Sequence, residues 1–387
     1  MTGMVRLAIA LFLTYLAVAM PLAVIPPYVT GWPGYSTFLA GVSVGCSFFS
    51  TLLTRGRAGR FCDHHGGDHS MHRGLLLYAI GCFCCALSAI PALPLSLRFG
   101  LLISGRLIIG VGESYTMVGV HIWGIGLEGH ERSGRVLSLT GMAMYAAYAV
   151  GGPSGLWIFH HWNFLTLMLL CMALPGLGFI LTRGLRHVPP SQGERRAFFS
   201  ILSAIKWHGA GVALQGVGFA VLGAYIALAF HHRHWDHGGL GLTFFGLAFV
   251  ANRLLIGSTP DRFGGLPIAL GSLLVEAAGL ACISAAATPV MALFGAALAG
   301  GGCSMVYPAL GRDVVRVVSP DHRALALGGF AAFQDVAYAV TAPIAGSLVD
   351  GFGYGTVFML AAFCATIGAI IVIGLMLREK SGSNLAA

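Results

Sequence analysis

The chain has 387 residues, 57% of them hydrophobic and only 9% charged, with a mean hydropathy of +0.82. A soluble domain carries about 25% charged residues, so this chain cannot cover itself with a water-facing surface, which excludes soluble enzymes and soluble binding modules. The formal net charge of +8 sits in the polar breaks between apolar runs, so it reads as membrane topology and not as a nucleic-acid surface.

At about 20 residues per spanning helix, the length accommodates about a dozen spans. The apolar runs are continuous, not alternating, which favours helices over a barrel. The predicted spans fall at about 5–30, 36–54, 74–94, 97–123, 134–159, 163–182, 205–230, 238–257, 266–287, 289–311, 324–350 and 354–377, with Pro-, Gly- and His-rich breaks between them. The first has Arg6 ahead of a long apolar run. It is too long for the core of a signal peptide and is expected to remain as a span. The expected fold class is an all-α membrane protein with 12 transmembrane helices, multi-pass in a lipid bilayer. With the N-terminus placed in the cytoplasm, 19 of the 22 Lys and Arg fall in inner loops and tails, Arg98 and Arg233 fall outside, and Arg106 lies within a span. That asymmetry predicts cytoplasmic N- and C-termini. The longest inner connection carries Pro189 and Pro190. It divides the chain into a six-helix bundle at 1–188, a linker at 189–204 and a second bundle at 205–387. The nine cysteines lie mostly inside apolar runs without zinc spacing and read as packing residues.

The chain repeats itself. Arg55–Gly67 and Arg253–Gly265 share the pattern R-x3-G-x3-D-x2-G-G, with Arg55/Arg253, Gly59/Gly257, Asp63/Asp261, Gly66/Gly264 and Gly67/Gly265 at one offset of 198. Tyr148-Ala149-Val150 followed by Pro153 is echoed by Tyr338-Ala339-Val340 followed by Pro343 at an offset of 190, and Gly110-x-Gly112-x-Ser114 by Gly300-x-Gly302-x-Ser304 at the same offset. Three echoes in order predict two pseudo-symmetric six-helix bundles, with each R-x3-G-x3-D-x2-G-G stretch forming a short polar loop.

These features resemble the major facilitator superfamily over nearly the whole chain. The two repeated loops fall where that superfamily has its loop between helices 2 and 3 and the pseudo-copy between helices 8 and 9. Ser104-Gly105-Arg106 with Gly110 is similar to the helix-4 arginine motif of its drug/proton antiporters. Gly152-Pro153-Ser154-Gly155 is similar to part of their helix-5 motif, although Tyr148 stands where a glycine is usual. Leu13–Val29 and Arg106–Gly126 are similar to the bacterial YhhS/YfcJ group of efflux permeases. His64 replaces the usual basic residue after the first loop's aspartate, so the first copy departs further from the pattern than the second, which reads Asp261-Arg262-Phe263-Gly264.

The resemblance implies a cavity between the bundles, lined by spans 1, 4, 5, 7, 10 and 11. Asp63 and Asp261, with Arg55, Gly59, Gly66, Arg253, Gly257, Arg262 and Gly264, are the expected inner gate, making contacts in one conformation that break in the other. Arg106 and Glu113 lie seven residues apart on span four, hence on one face. A charge at bilayer depth costs roughly 2.5–3.5 kcal/mol or more unless it faces a cavity or a partner, so both are candidates for proton coupling or substrate binding, or a structural pair. Asp335 on span eleven is their counterpart in the second bundle, where low polarity makes protonation feasible. Gln334, Asp335 and Tyr338 share a helix face, and Tyr145 and Tyr148 hold the matching positions on span five. With Tyr15, Glu113, Gln215 and Tyr307 they make up the candidate substrate site. Glu276 reads as a packed neutral acid on a peripheral helix, and His121 as a structural histidine. The His64–His72 and His231–His237 clusters read as solvated loop residues on opposite membrane faces, so no metal site is assigned. Gly41-Val42-Ser43-Val44-Gly45 fits a nucleophile-elbow pattern only formally and reads as a small-residue packing face. There is no P-loop.

The expected function is proton-coupled efflux of a small organic solute by alternating access, in a bacterial inner membrane. It would be performed by a monomer without a cofactor and without nucleic-acid partners. Proton-coupled uptake of a sugar or other metabolite, or export of a metal complex, uses the same architecture. A membrane-embedded enzyme or a non-transporting sensor is disfavoured by the lack of a catalytic motif and of an appended soluble domain.

Overall fold

The structure is a computed structural model that describes residues 3–129, 132–189, 198–257, 259–318 and 323–384. Among these residues it is entirely helical. The helices are α1 (Gly3–Thr30), α2 (Thr37–His65), α3 (Gly67–Leu87), α4 (Leu95–Glu128), α5 (Ser133–His161), α6 (Phe164–Thr182), α7 (Phe198–His232), α8 (Leu240–Ile256), the short α9 (Thr259–Phe263), α10 (Gly265–Ser284), α11 (Pro289–Val317), α12 (Arg323–Phe352) and α13 (Tyr354–Asn384). Nine of them are long and apolar enough to cross a membrane, and α8 is a shorter apolar helix. With α5 and α12, they give the 12 long helices expected.

The two bundles pack alike. In the first, α1 packs on α5 and α6, α4 on α2 and α3, and α3 on α6. In the second, α7 packs on α12 and α13, α11 on α8 and α10, and α10 on α13. α1 and α7 are the most enclosed spans, with 78% and 83% of their apolar windows buried. They therefore form the centre of each bundle, while α2 meets α12 and α5 meets α8 between bundles.

Two expectations about boundaries need correction. The Arg55–His65 stretch is not a loop; it continues α2. Helical backbone bonds are satisfied internally, so a polar helix can run on past the bilayer edge into water. The chain turns only at Gly66, whose φ of 87° suits glycine. The second copy splits between the end of α8, the short α9 and a turn at Gly264, φ 91°. The expected linker 189–204 is also shorter at its C-terminal side, because Phe198 already belongs to α7; residues 190–197 lie outside the described residues.

Without water to drive association, spans pack by close van der Waals approach of small residues. Gly67, Gly74 and Gly81 on α3 face Gly119, Gly112 and Gly105 on α4, every seventh residue on each helix. The second bundle repeats this: Gly265, Ser272 and Gly279 on α10 face Ala309, Gly302 and Gly295 on α11. A Cβ at Gly74 would lie 2.6 Å from the Thr116 backbone nitrogen, whereas at Gly100 it would meet nothing within 4 Å. We expect Gly74→Leu to lower the apparent Tm in detergent by several degrees, since overpacking costs about 1–3 kcal/mol, and Gly100→Ala to cause no loss. Equal Tm for Gly74→Leu and the parent would show that the α3–α4 contact is loose.

Candidate functional site

The bundles are closed against each other at the end of the molecule away from the chain termini. α2 and α12 run antiparallel there. Thr37 Oγ1 donates to Gly346 O at 3.1 Å and also bonds Asp350. A Cβ at Gly41 would lie 2.3 Å from Ala342 O, and one at Gly45 2.5 Å from Ala339 O. On the other side of the seam, Thr243 Oγ1 donates to Ala149 O at 2.8 Å, and Gly239 and Gly246 fit against Pro153 and Tyr145. Towards the termini the contacts thin out. A Cβ at Gly56 or Gly59 would meet nothing within 4 Å, and Asp63 is exposed.

Below this closure lies an aromatic layer drawn from both bundles. Tyr145 stacks on Phe249 with ring centroids 3.5 Å apart, Tyr148 meets Phe219 at 5.0 Å, and Tyr338 contacts Phe219 at 5.4 Å and Phe48 at 5.1 Å.

Polar groups follow immediately. Glu113 on α4 is buried. It accepts from Tyr15 OH at 2.9 Å and, through its other oxygen, from Thr51 Oγ1 at 3.4 Å. Across the seam, Arg55 Nη2 on α2 lies 2.6 Å from Asp335 Oδ2 on α12. The two atoms are close but out of line for a hydrogen bond, because Asp335 Oδ2 and Arg55 Nε both lack an aligned partner among the described residues. The contact is an ion pair with hydrogen-bonding capacity to spare. In the second bundle Gln215 Nε2 donates to Glu276 Oε1 at 3.3 Å and Cys303 Sγ at 2.9 Å, while Gln334 Nε2 donates to Gln215 Oε1 at 3.1 Å. Glu276 is fully buried and turned inward, connected through Gln215 to the residue next to Asp335. Tyr307 packs against Phe330 at 4.9 Å.

The sequence-predicted residues therefore separate into groups. Tyr15, Glu113, Tyr145, Tyr148, Gln334, Asp335 and Tyr338 gather around the seam, with Gln215 and Tyr307 just behind it in the second bundle. Arg106 does not join them. It is fully buried against α2, donating to Ser43 O at 3.1 Å and Ser47 Oγ at 2.8 Å. Arg55 sits within α2 and at the seam, not in a loop. The side chain of Asp261 lies outside the described residues, and Arg262 rests over the Phe263 ring at 5.7 Å. His121 is bonded to Thr140 at 3.1 Å. Phe48, Phe219 and Phe249 were not foreseen, since an apolar residue within an apolar run carries no signal, and Thr51 was not because a hydroxyl in a span reads as bonded back to its own helix. Away from the seam, Asp68 Oδ2 contacts His187 Nδ1 at 2.9 Å and His69 Nδ1 at 3.3 Å. A groove of about 950 Å³ between α10 and α13, lined by residues such as Ala278, Met359 and Phe363, opens on the outside of the second bundle.

Two six-helix bundles, closed against each other at one end with buried carboxylates at mid-depth, have the architecture of a secondary transporter. The Major Facilitator Superfamily model matches residues 7–206 and 209–386, and the chain belongs to that superfamily. It is 42% identical over 374 residues to an uncharacterized MFS-type transporter of Salmonella typhimurium, covering 97% of this chain and 96% of the relative. Among solved structures it is similar to a D-xylose-proton symporter, with TM-score 0.80, 16% identity and coverage of 95% and 96% of the two chains. It is also similar to a human organic anion transporter, with TM-score 0.71, 15% identity and coverage of 95% and 98%. The chain is thus a multi-pass membrane transporter, not an enzyme.

If Arg55 and Asp335 are energetically coupled, the stability losses of Arg55→Gln and Asp335→Asn will not add. A double-mutant cycle read by thermal unfolding should give a coupling of about 0.5–3 kcal/mol, whereas additivity within about 0.3–0.5 kcal/mol would show an idle contact.

Proposed function

We propose that the chain exports a small, partly apolar organic solute in exchange for protons, with Glu113 and Asp335 as the proton sites. One observation carries this reading: each bundle places one buried carboxyl group at the seam, and neither is locked into a structural salt bridge inside its own bundle. Glu113 is held by the Tyr15 hydroxyl and has the Thr51 hydroxyl, which also bonds Ser47 O and Gly110 O, within reach; a hydroxyl can serve either the acid or the carboxylate by rotating. Asp335 is held by an arginine of the opposite bundle, so protonating it weakens a contact that ties the halves together. The resemblance of the helix-4 and helix-5 segments to drug/proton antiporters supports the direction. Substrate would lie among Tyr15, Tyr145, Tyr148, Gln215, Tyr307, Gln334 and Tyr338. Asp63 and Asp261, with the glycines of their motifs, would close the end nearest the termini in the alternate state. We assign Arg106 to bracing α2 on α4. The positive bias of the terminal side supports a cytoplasmic position for that side, and on this reading the chain works as a monomer in a bacterial inner membrane.

Proteoliposomes with an imposed pH gradient test this. In the parent, a gradient acid on the side opposite the termini should drive solute towards that acid side, as exchange requires. Glu113→Gln and Asp335→Asn should each abolish the gradient-driven component while leaving solute exchange at equal pH within about threefold, because exchange without net proton movement keeps only the binding steps. Gradient-driven flux unchanged in both variants would refute the assignment of the proton sites. Solute moving with the protons would reverse the mode to uptake.

A further inference from the structure

The pseudo-symmetry is broken at one charge. The offset of 198 equates Arg55 with Arg253, and the offset of 190 equates Asp335 with Tyr145. Arg55 meets Asp335 across the α2–α12 seam. Its twin Arg253, on α8, approaches α5 across the other seam, where the equivalent position carries Tyr145 and no acid. The Arg253 guanidinium lies 5.5 Å from the centre of the Phe249 ring, and Phe249 is itself stacked on Tyr145. A Cβ at Gly141 on α5 would come 3.6 Å from Arg253 Nη2. Arg253 is half-buried, its Nε is buried without a hydrogen-bond partner, and no carboxylate lies within ion-pair distance among the described residues.

A guanidinium keeps its charge under all physiological conditions. Its buried Nε is left without the partner that a buried donor ordinarily has, and contact with an aromatic face offsets only part of that cost. The neighbouring charges do not supply the balance. Asp335 lies against Arg55 across the other seam, Glu113 is bonded to Tyr15 and Thr51 inside the first bundle, and Glu276 is held by Gln215 inside the second, so none of the three is paired with Arg253. The nearby Asn252 amide is already spent on Gly301 O at 2.7 Å. The seam therefore holds an uncompensated positive charge beside a stack of aromatic rings contributed by both bundles.

Resting on the transport reading above, we propose that Arg253 is the substrate's docking group and that the transported solute is an organic anion: a carboxylate on a flat apolar body. The anionic group would take the Arg253 guanidinium, whose fork suits a carboxylate. The apolar body would lie against Tyr145, the half-buried member of a stack whose other rings, Phe249, Tyr148 and Phe219, are buried behind it. Because Tyr145 belongs to the first bundle and Arg253 to the second, the bound anion touches both halves. Organic cations, repelled by the same charge, are poor substrates.

Three probes of one shape separate the possibilities: 2-naphthoate, its neutral amide, and the 2-naphthylmethylammonium cation. Binding to the purified full-length protein is measured by calorimetry, and flux is measured in the proteoliposomes. Naphthoate should bind saturably and stabilise the protein, the amide should bind about tenfold or more weakly, and the cation should not bind. Arg253→Gln should weaken naphthoate about 10- to 100-fold, the range for losing one charge-assisted contact, and leave the amide unchanged. Arg253→Lys should retain an intermediate affinity. An unaltered gel-filtration profile and amide binding show that each variant is folded. No saturable naphthoate binding, equal binding of anion and amide, preferred binding of the cation, or an Arg253→Gln variant with parent affinity would each overturn the proposal. Proton-linked flux of the amide or the cation alone would overturn the anion assignment while leaving the transport reading standing. Naphthoate binding that depends on Arg253 but produces no proton-linked flux would uphold the docking group and remove the proton coupling.

Discussion

The contact between Arg55 and Asp335 sets the terms for the rest of the molecule. Among the described residues it is the ion pair that joins the two bundles, in a seam that otherwise holds the Thr37 and Thr243 hydrogen bonds, Arg253, glycines, small residues and rings. Removing one partner of a buried pair leaves a charge whose burial costs about 3–5 kcal/mol. A proton on Asp335 has a related effect, because it cancels the attraction and leaves the arginine to find water or another anion. Few groups in a lipid-buried protein offer a switch of that size. This one lies about 27 Å along α2 from Thr37, eighteen residues at the helical rise, so it acts well below the closed end. The Gly41 and Gly45 contacts with Ala342 and Ala339 can persist or part as rigid surfaces. On the proposed reading, the ion pair is the element whose strength depends on proton availability.

The surrounding architecture keeps the bundles stiff, so that this local change becomes a movement of whole halves. The heptad glycines between α3 and α4, and their counterparts between α10 and α11, bring backbones into direct contact on the outer side of each bundle. Close-packed interfaces are not continuously deformable. On the proposed reading, a change at the seam would be expressed as rocking and not as local distortion. Arg106 belongs to this frame: by binding the carbonyl oxygens of α2 it fixes the helix that carries Arg55 relative to the helix that carries Glu113.

Much of this could be read from the sequence, for definite reasons. Hydropathy located the spans because lipid permits few alternatives, and the Arg55 and Arg253 motifs revealed the duplication because both copies must turn at a left-handed glycine, Gly66 or Gly264. The length of α2 was misread because Arg57, Arg60 and His64 look like loop residues, although a helix emerging into water keeps its backbone bonds. The heptad glycines escaped notice because glycine in a single sequence reads first as a breaker. The direction of Arg106 was not accessible either, since helical spacing gives the face of α4 but not which neighbour covers it. Pairing Arg55 with Asp335, residues 280 apart, requires knowing that α2 and α12 meet. Once the offsets of 198 and 190 are combined with that adjacency, the missing acid opposite Arg253 follows from symmetry alone.

The central claim is that protonation of Asp335 loosens the tie between the bundles. Spin labels placed at the exposed positions 57 on α2 and 328 on α12, in a background with the native cysteines replaced, allow the distance across the terminal end of the seam to be measured by pulsed resonance at several pH values. The account predicts a distance distribution that shifts as pH is lowered in the parent and stays fixed with pH in Asp335→Asn. The same pH-driven shift in both proteins would contradict it.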